Sequence, residues 1–568
     1  MATQPQTPDA ATAPWLRAYP EGIAWAFNEP PGTLTALLDA AIVRFAARPA
    51  LDFLGRRWSY AELGGLVDRT AAGFSRMGAG PGTRIGLCLP NTPYFVIAFF
   101  AALKAGAAVV NFNPLYVEAE LAAQAADSGT TIMVTIDLEP VFGRVMSLLG
   151  RGTVKRVVAC RFHRALRPLK GTAFRVANRR MLAAVPRNDD RVVAFENLAA
   201  SAPVADPPTV VPDDLAVLQY TGGTTGTPKG VMLTHANLAA NCRQVQRWFA
   251  DTKPGEERLL AVLPLFHVFA LTSAMNAGLS WGAEIVLLPR FAPPHLLAAL
   301  RRRRPTLFPG VPTLFKAILD HGATARDLAS VRICISGGAP LPLEIKRAFE
   351  KASGCVLVEG YGLTEASPVC FCNPVHGENR AGTIGLPLPG VEAEIRAPDD
   401  PGRRMAAGER GELVLRGPNI MHGYWQRPAE TAAVMTSDGW LRTGDVGIMD
   451  TDGYVTLVDR LKDVIICSGY KVYPRTVEEA LYAHPDIAAA TVLGMPDSYR
   501  GESVAAFVQL RPGATLTEAA LLAFLRDRLS PVELPRLIDI RAELPRTAVG
   551  KLSRKELRDE LLRRSPVA

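Results

Sequence analysis

Residues 220–235 read YTGGTTGTPKGVMLTH, and their types and spacing suit them to phosphate. Gly222, Gly223 and Gly226 let the main chain bend sharply and bring bare amides close to an anion. Thr221, Thr224, Thr225 and Thr227 add hydroxyls, and Lys229 adds a positive charge. An apolar run from Leu215 to Leu218 delivers the backbone to this loop. Amides, hydroxyls and one cation together make a phosphate cradle. It is not a P-loop, because Gly230 and Val231 follow Lys229 where that motif needs a hydroxyl residue directly. A flexible surface turn is the plain alternative, and linkers rarely combine this hydroxyl density with a lysine.

The loop resembles the signature of the adenylate-forming superfamily, which includes acyl-CoA synthetases, adenylation domains of peptide synthetases and luciferases. Further motifs follow in that superfamily's order. EGYGLTE at 359–365 resembles its adenine and metal motif. Tyr361 offers a face on which a purine can stack. Glu365 is a hard oxygen ligand suited to Mg²⁺ bridging phosphates, and the resemblance places Thr221 beside it. Thr364 can hydrogen-bond a phosphate oxygen. LRTGD at 441–445 matches the next motif, with Asp445 as the carboxylate that accepts both ribose hydroxyls. VDRLKD at 458–463 follows, with Arg460 as the ribose- and phosphate-contacting arginine and Lys462 as the hinge. CSGYK at 467–471 resembles the loop that lines the CoA arm, which assigns Gly469 and Tyr470 to CoA and turns Lys471 toward a phosphate. PRTAVGK at 545–551 resembles the terminal motif and makes Lys551 the catalytic lysine.

The resemblance implies ATP, Mg²⁺ and CoA as cofactor and co-substrates. A carboxylate attacks the α-phosphate of ATP, pyrophosphate leaves, and an acyl-adenylate remains. Thr224, Lys229, Glu365 and Lys551 are the implied catalytic set, through positioning and charge neutralisation. The small C-terminal domain then rotates about Lys462, and a CoA thiolate displaces AMP. No protein nucleophile is needed.

PLFHVFAL at 264–271 matches the superfamily's acyl-pocket motif, with His267 and Phe269 touching or gating the acyl group. A core histidine is the bland alternative. Amino-acid-activating relatives carry an aspartate near this point, whereas this chain has His267 and no acid until Glu284. The chain is most similar to bacterial medium- or long-chain fatty acyl-CoA synthetases, on NFNPLY at 111–116, the apolar 259–279 stretch and a basic segment at 160–200. One departure is Glu533 in PVELP at 531–535, where many relatives carry a lysine. An acyl-AMP ligase serving a carrier protein, an aryl-CoA ligase, and a catalytically silent nucleotide- or lipid-binding protein stay open.

These motifs need a scaffold. Strand-like and helix-like runs alternate, which argues for α/β layers. TRIGLCL at 83–89 reads as a strand, 94–105 as an apolar helix and 108–111 as the next strand. Residues 331–359 read as a β-α-β unit. Ligands sit beyond strand C-termini in such sheets, which singles out Gly338, Ala339 and Pro340 after one strand and Glu359, Gly360 and Gly362 at the other. From about 390, short alternating runs at 392–396, 411–416 and 454–458 suggest antiparallel sheet. The expected fold is α/β: a large N-terminal domain of layered sheets with a β-rich subdomain, plus a small mobile α+β C-terminal domain. Its divisions are a tail and extension over 1–30, the AMP-binding domain over 31–459 with the 160–200 insertion, and a C-terminal domain over 460–568. Thr476, Thr515 and Ser553, each three residues before a glutamate, look like helix-start capping boxes.

At 568 residues the chain needs more than one core, and its 48% hydrophobic and 21% charged composition is globular. A net charge of +8 favours anionic ligands weakly and does not imply nucleic-acid binding. Eight scattered cysteines without a CxxC pair read as buried reduced thiols, which suits the cytoplasm. The first 14 residues read as a disordered tail without signal-peptide character. No stretch reads as a membrane span. The 160–200 segment interleaves basic and apolar residues, so it is either a solvated insertion or a peripheral contact with the inner face of a membrane. A homodimer is left open.

Overall fold

The computed structural model describes residues 13–186, 188–202, 204, 206–221, 228–468, 470–497, 499–547 and 552–564. Two large sheets dominate the first 460 residues. One is built on parallel strands 84–88, 108–111, 132–136, 156–160 and 192–194, and the strand 108–111 continues it in parallel to 215–221. The antiparallel strand 229–234 then returns beside 215–221. The other sheet aligns 284–287, 258–261, 307–310, 333–336 and 356–362 in parallel, and the hairpin 49–53/56–59 closes one edge. These strands read as continuous apolar runs, such as IMVTI at 132–136, because helices cover both of their faces.

The helix Pro93–Lys104 is buried along its whole length except at Lys104. It packs against Tyr60–Arg76, whose start is fixed by a capping box between Ser59 and Glu62. The apolar 259–283 stretch folds into a buried strand, a loop and a buried helical segment, with a π-helical turn over Leu271–Asn276. No helix among the described residues is long and apolar enough to cross a membrane.

Strands 392–396, 410–416, 441–449 and 455–460 form the antiparallel sheet that alternation predicts. Residues 465–561 build apolar clusters of their own around strands 487–497 and 501–510. All eight cysteines are buried and free.

Several expectations need correction. Residues 1–12 of the expected tail lie outside the described residues, but Ala13 and Trp15 are buried in the main core. Tyr19 donates to the Pro387 carbonyl at 3.0 Å and Trp25 to that of Val391 at 3.2 Å, so aromatic anchors pin this extension. Thr476 lies inside the helix Pro474–Tyr482, which begins earlier because Pro474 suits the first helical turn. Thr517, rather than Thr515, caps the helix Glu518–Arg526 by accepting from the Ala520 amide. Ser553 directly precedes the helix Arg554–Arg564, as expected. Glu533 has a local role in place of the usual lysine: its carboxylate accepts from the Ser530 amide at 2.9 Å and hydroxyl at 2.7 Å, which closes a turn.

Candidate active site

The phosphate-loop sequence joins two strands of an antiparallel hairpin, with Thr221 directly opposite Lys229. Gly222, Gly223, Thr224, Thr225, Gly226 and Thr227 lie outside the described residues, as do Gly469 and Lys551. What the structure does describe is how Lys229 is held. Its ammonium pairs with Glu430 and stands 5.0 Å from the centroid of the Tyr424 ring. The Tyr424 hydroxyl donates to Glu365 Oε1 at 2.8 Å. Burial, and then the neighbouring Glu365 carboxylate, raise the Tyr424 phenol so that it stays a donor. Lys229, Tyr424 and Glu365 therefore form one contact chain across three separate segments.

Tyr424 reaches this place because the short strand 423–424 pairs with 229–234, with Tyr424 opposite Val231. A buttress lies behind it. Asp127 accepts from the Tyr220 hydroxyl at 2.5 Å, from Arg427 at 3.0 Å, and through its carbonyl from Trp425 at 3.1 Å. Sequence reasoning missed Tyr424, Glu430 and Asp127. No local spacing marks them, because each acts across more than fifty residues of chain.

A second cluster surrounds Asp445. Its Oδ2 accepts from the Tyr361 hydroxyl at 2.5 Å, and its Oδ1 pairs with Arg460 Nε at 3.0 Å. Asp445 and Arg460 face each other in register across adjacent strands, so their five-residue-scale motifs meet by sheet pairing. The turn before Asp445 is fixed from beneath. Buried Glu412 accepts from the Gly444 amide at 3.0 Å and from Arg442 Nε at 2.8 Å. Glu365, Tyr424, Thr443 and Gly444 line a common cavity of about 270 Å³. The 359–365 and 441–445 motifs thus share one cleft.

The parallel strands 333–336 and 356–362 pair Ser336 with Glu359, which sets the two loops that follow them side by side. The first carries Gly338, Ala339 and Pro340, and Gly338 needs its glycine for a φ of +78°. The second strand runs past the expected end at 359, because Gly360 and Gly362 pair antiparallel with Cys372 and Val369, so only Thr364 of this group follows it. A Cβ on Gly337 would stand 3.0 Å from the Phe269 ring, so the missing side chain lets the acyl-motif phenylalanine reach this loop. His267 caps the short helix 268–270, its Nδ1 facing the Phe269 amide at 3.4 Å. Gln219 Nε2, three residues before the phosphate loop begins at Gly222, donates to the Phe266 carbonyl at 2.9 Å. The 264–271 segment is therefore tied both to the 337–340 loop and to the strand that ends at Thr221.

Lys462 lies between two anchors. Arg460 is held by Asp445, while Asp463 pairs with Arg554 at 2.9 Å and Arg558 at 3.1 Å on the last helix. Burial, then Arg460, lowers the Lys462 ammonium below its usual range. Tyr470 is exposed on the strand 470–472.

Glu359 is buried, and its carboxyl is pushed up to about 7 by desolvation, opposed by Arg475. Its folded value exceeds that of a free glutamate, so its contribution to stability is fully present below the ordinary carboxylate range and is lost as pH rises through about 7. Glu359→Gln removes the penalty. Urea unfolding is expected to find the variant more stable than the wild type at pH 8 by up to about 3 kcal/mol, and the gap should close toward pH 5. A gap that does not change with pH would contradict this.

Magnesium suits this donor set. Glu365 supplies a hard carboxylate positioned by Tyr424, and among the described residues its second oxygen has no partner. One protein carboxylate is enough for an ion that also binds substrate phosphates.

Residues 38–425 match the AMP-binding enzyme family, and residues 476–551 match the AMP-binding enzyme C-terminal domain. The chain belongs to the AMP-binding enzyme family. It is 41% identical over 556 residues to a long-chain-fatty-acid–CoA ligase of Bacillus subtilis (strain 168), covering 96% of this chain and 98% of the other. It is 36% identical over 557 residues to a ligase of the same name from Escherichia coli O157:H7, with the same coverage. Among solved structures, ATP-bound MatB from Rhodopseudomonas palustris superposes with a TM-score of 0.81 at 28% identity, covering 93% of this chain and 99% of that one. The layered α/β fold is the one these adenylate-forming neighbours share.

Proposed function

We propose that this AMP-binding enzyme is a fatty acid–CoA ligase that forms acyl-CoA, AMP and pyrophosphate from a fatty acid, ATP and CoA. The observation that carries the reading is the joining of the motifs at one cleft: Lys229 to Glu365 through Tyr424, and Glu365 to Thr443 and Gly444, the residues before Asp445, around one cavity. The near full-length likeness to long-chain-fatty-acid–CoA ligases supports the acyl and thiol assignments.

In this reading Lys229, drawn back by Glu430, is released toward the γ- and β-phosphates when ATP enters. Tyr361 and Asp445 hold adenosine, and Arg460 exchanges part of its hold on Asp445 for the ribose and phosphate. Mg²⁺, held by Glu365 with Thr221, would neutralise phosphate charge. Lys551 stabilises the charge that develops at the α-phosphate. The 460–568 domain then pivots at Lys462, and Gly469 and Tyr470 line the CoA path. His267 and Phe269 border the acyl group, and the lack of an acid between His267 and Glu284 counts against an amino acid substrate.

The test is product analysis. With ATP, Mg²⁺, CoA and a long-chain fatty acid, mass spectrometry is expected to find the acyl-CoA thioester, with one AMP formed per thioester. Thioester formed only from benzoate-type acids would move the assignment to an aryl-CoA ligase.

The 160–200 segment supports a place at the inner face of a membrane. Its helix Pro168–Ala177 turns Leu169, Ala173 and Val176 to one exposed side, with Leu169 88% and Val176 70% exposed. Arg167, Lys170, Arg175, Arg179 and Arg180 are exposed around them. We assign this face to anionic lipid. Vesicles containing phosphatidylglycerol should co-sediment the wild type, and Leu169→Glu/Val176→Glu should abolish this while leaving turnover of a water-soluble short-chain acid intact. Equal sedimentation of both proteins would contradict it.

A further inference from the structure

The sheet that carries the 337–340 and 363–365 segments has a second opening at its opposite edge. The parallel strands 258–261, 284–287, 307–310 and 333–336 all begin there, and the candidate active-site loops follow their far ends. Four-residue strands separate the two edges by roughly 13 Å. The opening is a cavity of about 500 Å³, the size of a small-molecule site.

Its floor carries two buried carboxylates, both neutralised. Glu257 pairs with Arg332 and accepts from the Lys253 amide at 2.8 Å. Glu284 pairs with Arg57 at 2.9 Å and with Arg303. The rim is different. Among the described residues the Arg48 guanidinium donates to the Gly255 carbonyl, at 3.0 Å, and that of Arg258 to the Arg304 carbonyl, at 2.9 Å. Among the described residues neither has a carboxylate partner, and the Lys253 ammonium has none either. Glu256 is the single rim acid. In all, five cations face three carboxylates around one concavity.

We propose that this cavity binds a small polyanion with clustered phosphate groups, at a site separate from the nucleotide cleft. Three rim cations facing a single rim carboxylate leave a net positive charge, and a multiply charged anion relieves their mutual repulsion. Carbonyl bonds fix the Arg48 and Arg258 side chains, so little ordering is required on binding. The saturated floor carboxylates keep those two arginines from being drawn inward. The inference does not rest on the ligase assignment.

Isothermal titration with inorganic tripolyphosphate in magnesium-free buffer tests it. The expected result is a binding event that persists in Lys229→Ala and weakens at least about tenfold in Lys253→Gln/Arg258→Gln, as loss of two charge-assisted contacts requires. The KM for ATP of the double variant should stay at the wild-type value. Arg48→Gln, an exposed change, should weaken binding in the same direction and guards against misfolding of the double variant, whose thermal midpoint without ligand is measured alongside. No binding, or binding lost in Lys229→Ala and kept in Lys253→Gln/Arg258→Gln and Arg48→Gln, would overturn the proposal.

Discussion

Lys551→Ala is expected to slow acyl-adenylate formation by about 10²–10³-fold, the scale of removing one preorganised stabiliser of transition-state charge. The in-line attack of a carboxylate on the α-phosphate gathers negative charge on oxygens already surrounded by phosphate. A fixed ammonium there acts mainly in the transition state, so kcat falls more than ATP affinity. The same variant, given synthetic acyl-adenylate and CoA, should form thioester at nearly the wild-type rate if, as proposed, Lys551 is withdrawn by a pivot at Lys462. Gly469→Leu should do the reverse. A side chain in the CoA path blocks thioester formation and spares adenylation. Separate stopped-flow assays of the two half-reactions read both effects. Equal loss of both half-reactions in Lys551→Ala would sink the alternation of domains.

Glu365→Gln is expected to lower adenylation by about 10²-fold and to raise the Mg²⁺ concentration needed for half-maximal rate. The amide keeps the shape of the side chain and an oxygen able to accept from Tyr424, so the contact between Tyr424 and Lys229 survives. What is lost is the anionic ligand for the metal. A magnesium titration at saturating ATP separates the two contributions. An unchanged magnesium dependence would take Glu365 out of the metal site.

Much of this architecture is legible in the chain because its devices are local. The glycines and threonines of 221–227 stand out by type and spacing, whereas Asp445 and Arg460, which meet on neighbouring strands, are singled out only by the family resemblance. The strand runs at 84–88, 108–111 and 333–336 are legible because parallel strands buried on both faces leave uninterrupted apolar stretches. Tyr424 is not legible. Its position depends on a two-residue strand pairing with 229–234 and on a hydroxyl that reaches Glu365 across 59 residues. Glu412 is equally silent in sequence, although it fixes the turn that carries Asp445. Local pattern also misplaces helix starts when a proline competes, as Thr476 shows beside Pro474. The basic rim around Lys253 and Arg258 is invisible for a further reason: strands from four separate segments must begin at one edge before those charges meet.

The most direct measurement is ATP–pyrophosphate exchange, without CoA, across carboxylic acids of graded chain length together with benzoate and amino acids. The account predicts exchange that rises with a fatty acid of medium or long chain, is absent with amino acids, and is accompanied by AMP release once CoA is added. Exchange that is maximal with an amino acid, or no exchange with any acid by a folded, ATP-binding protein, would contradict it.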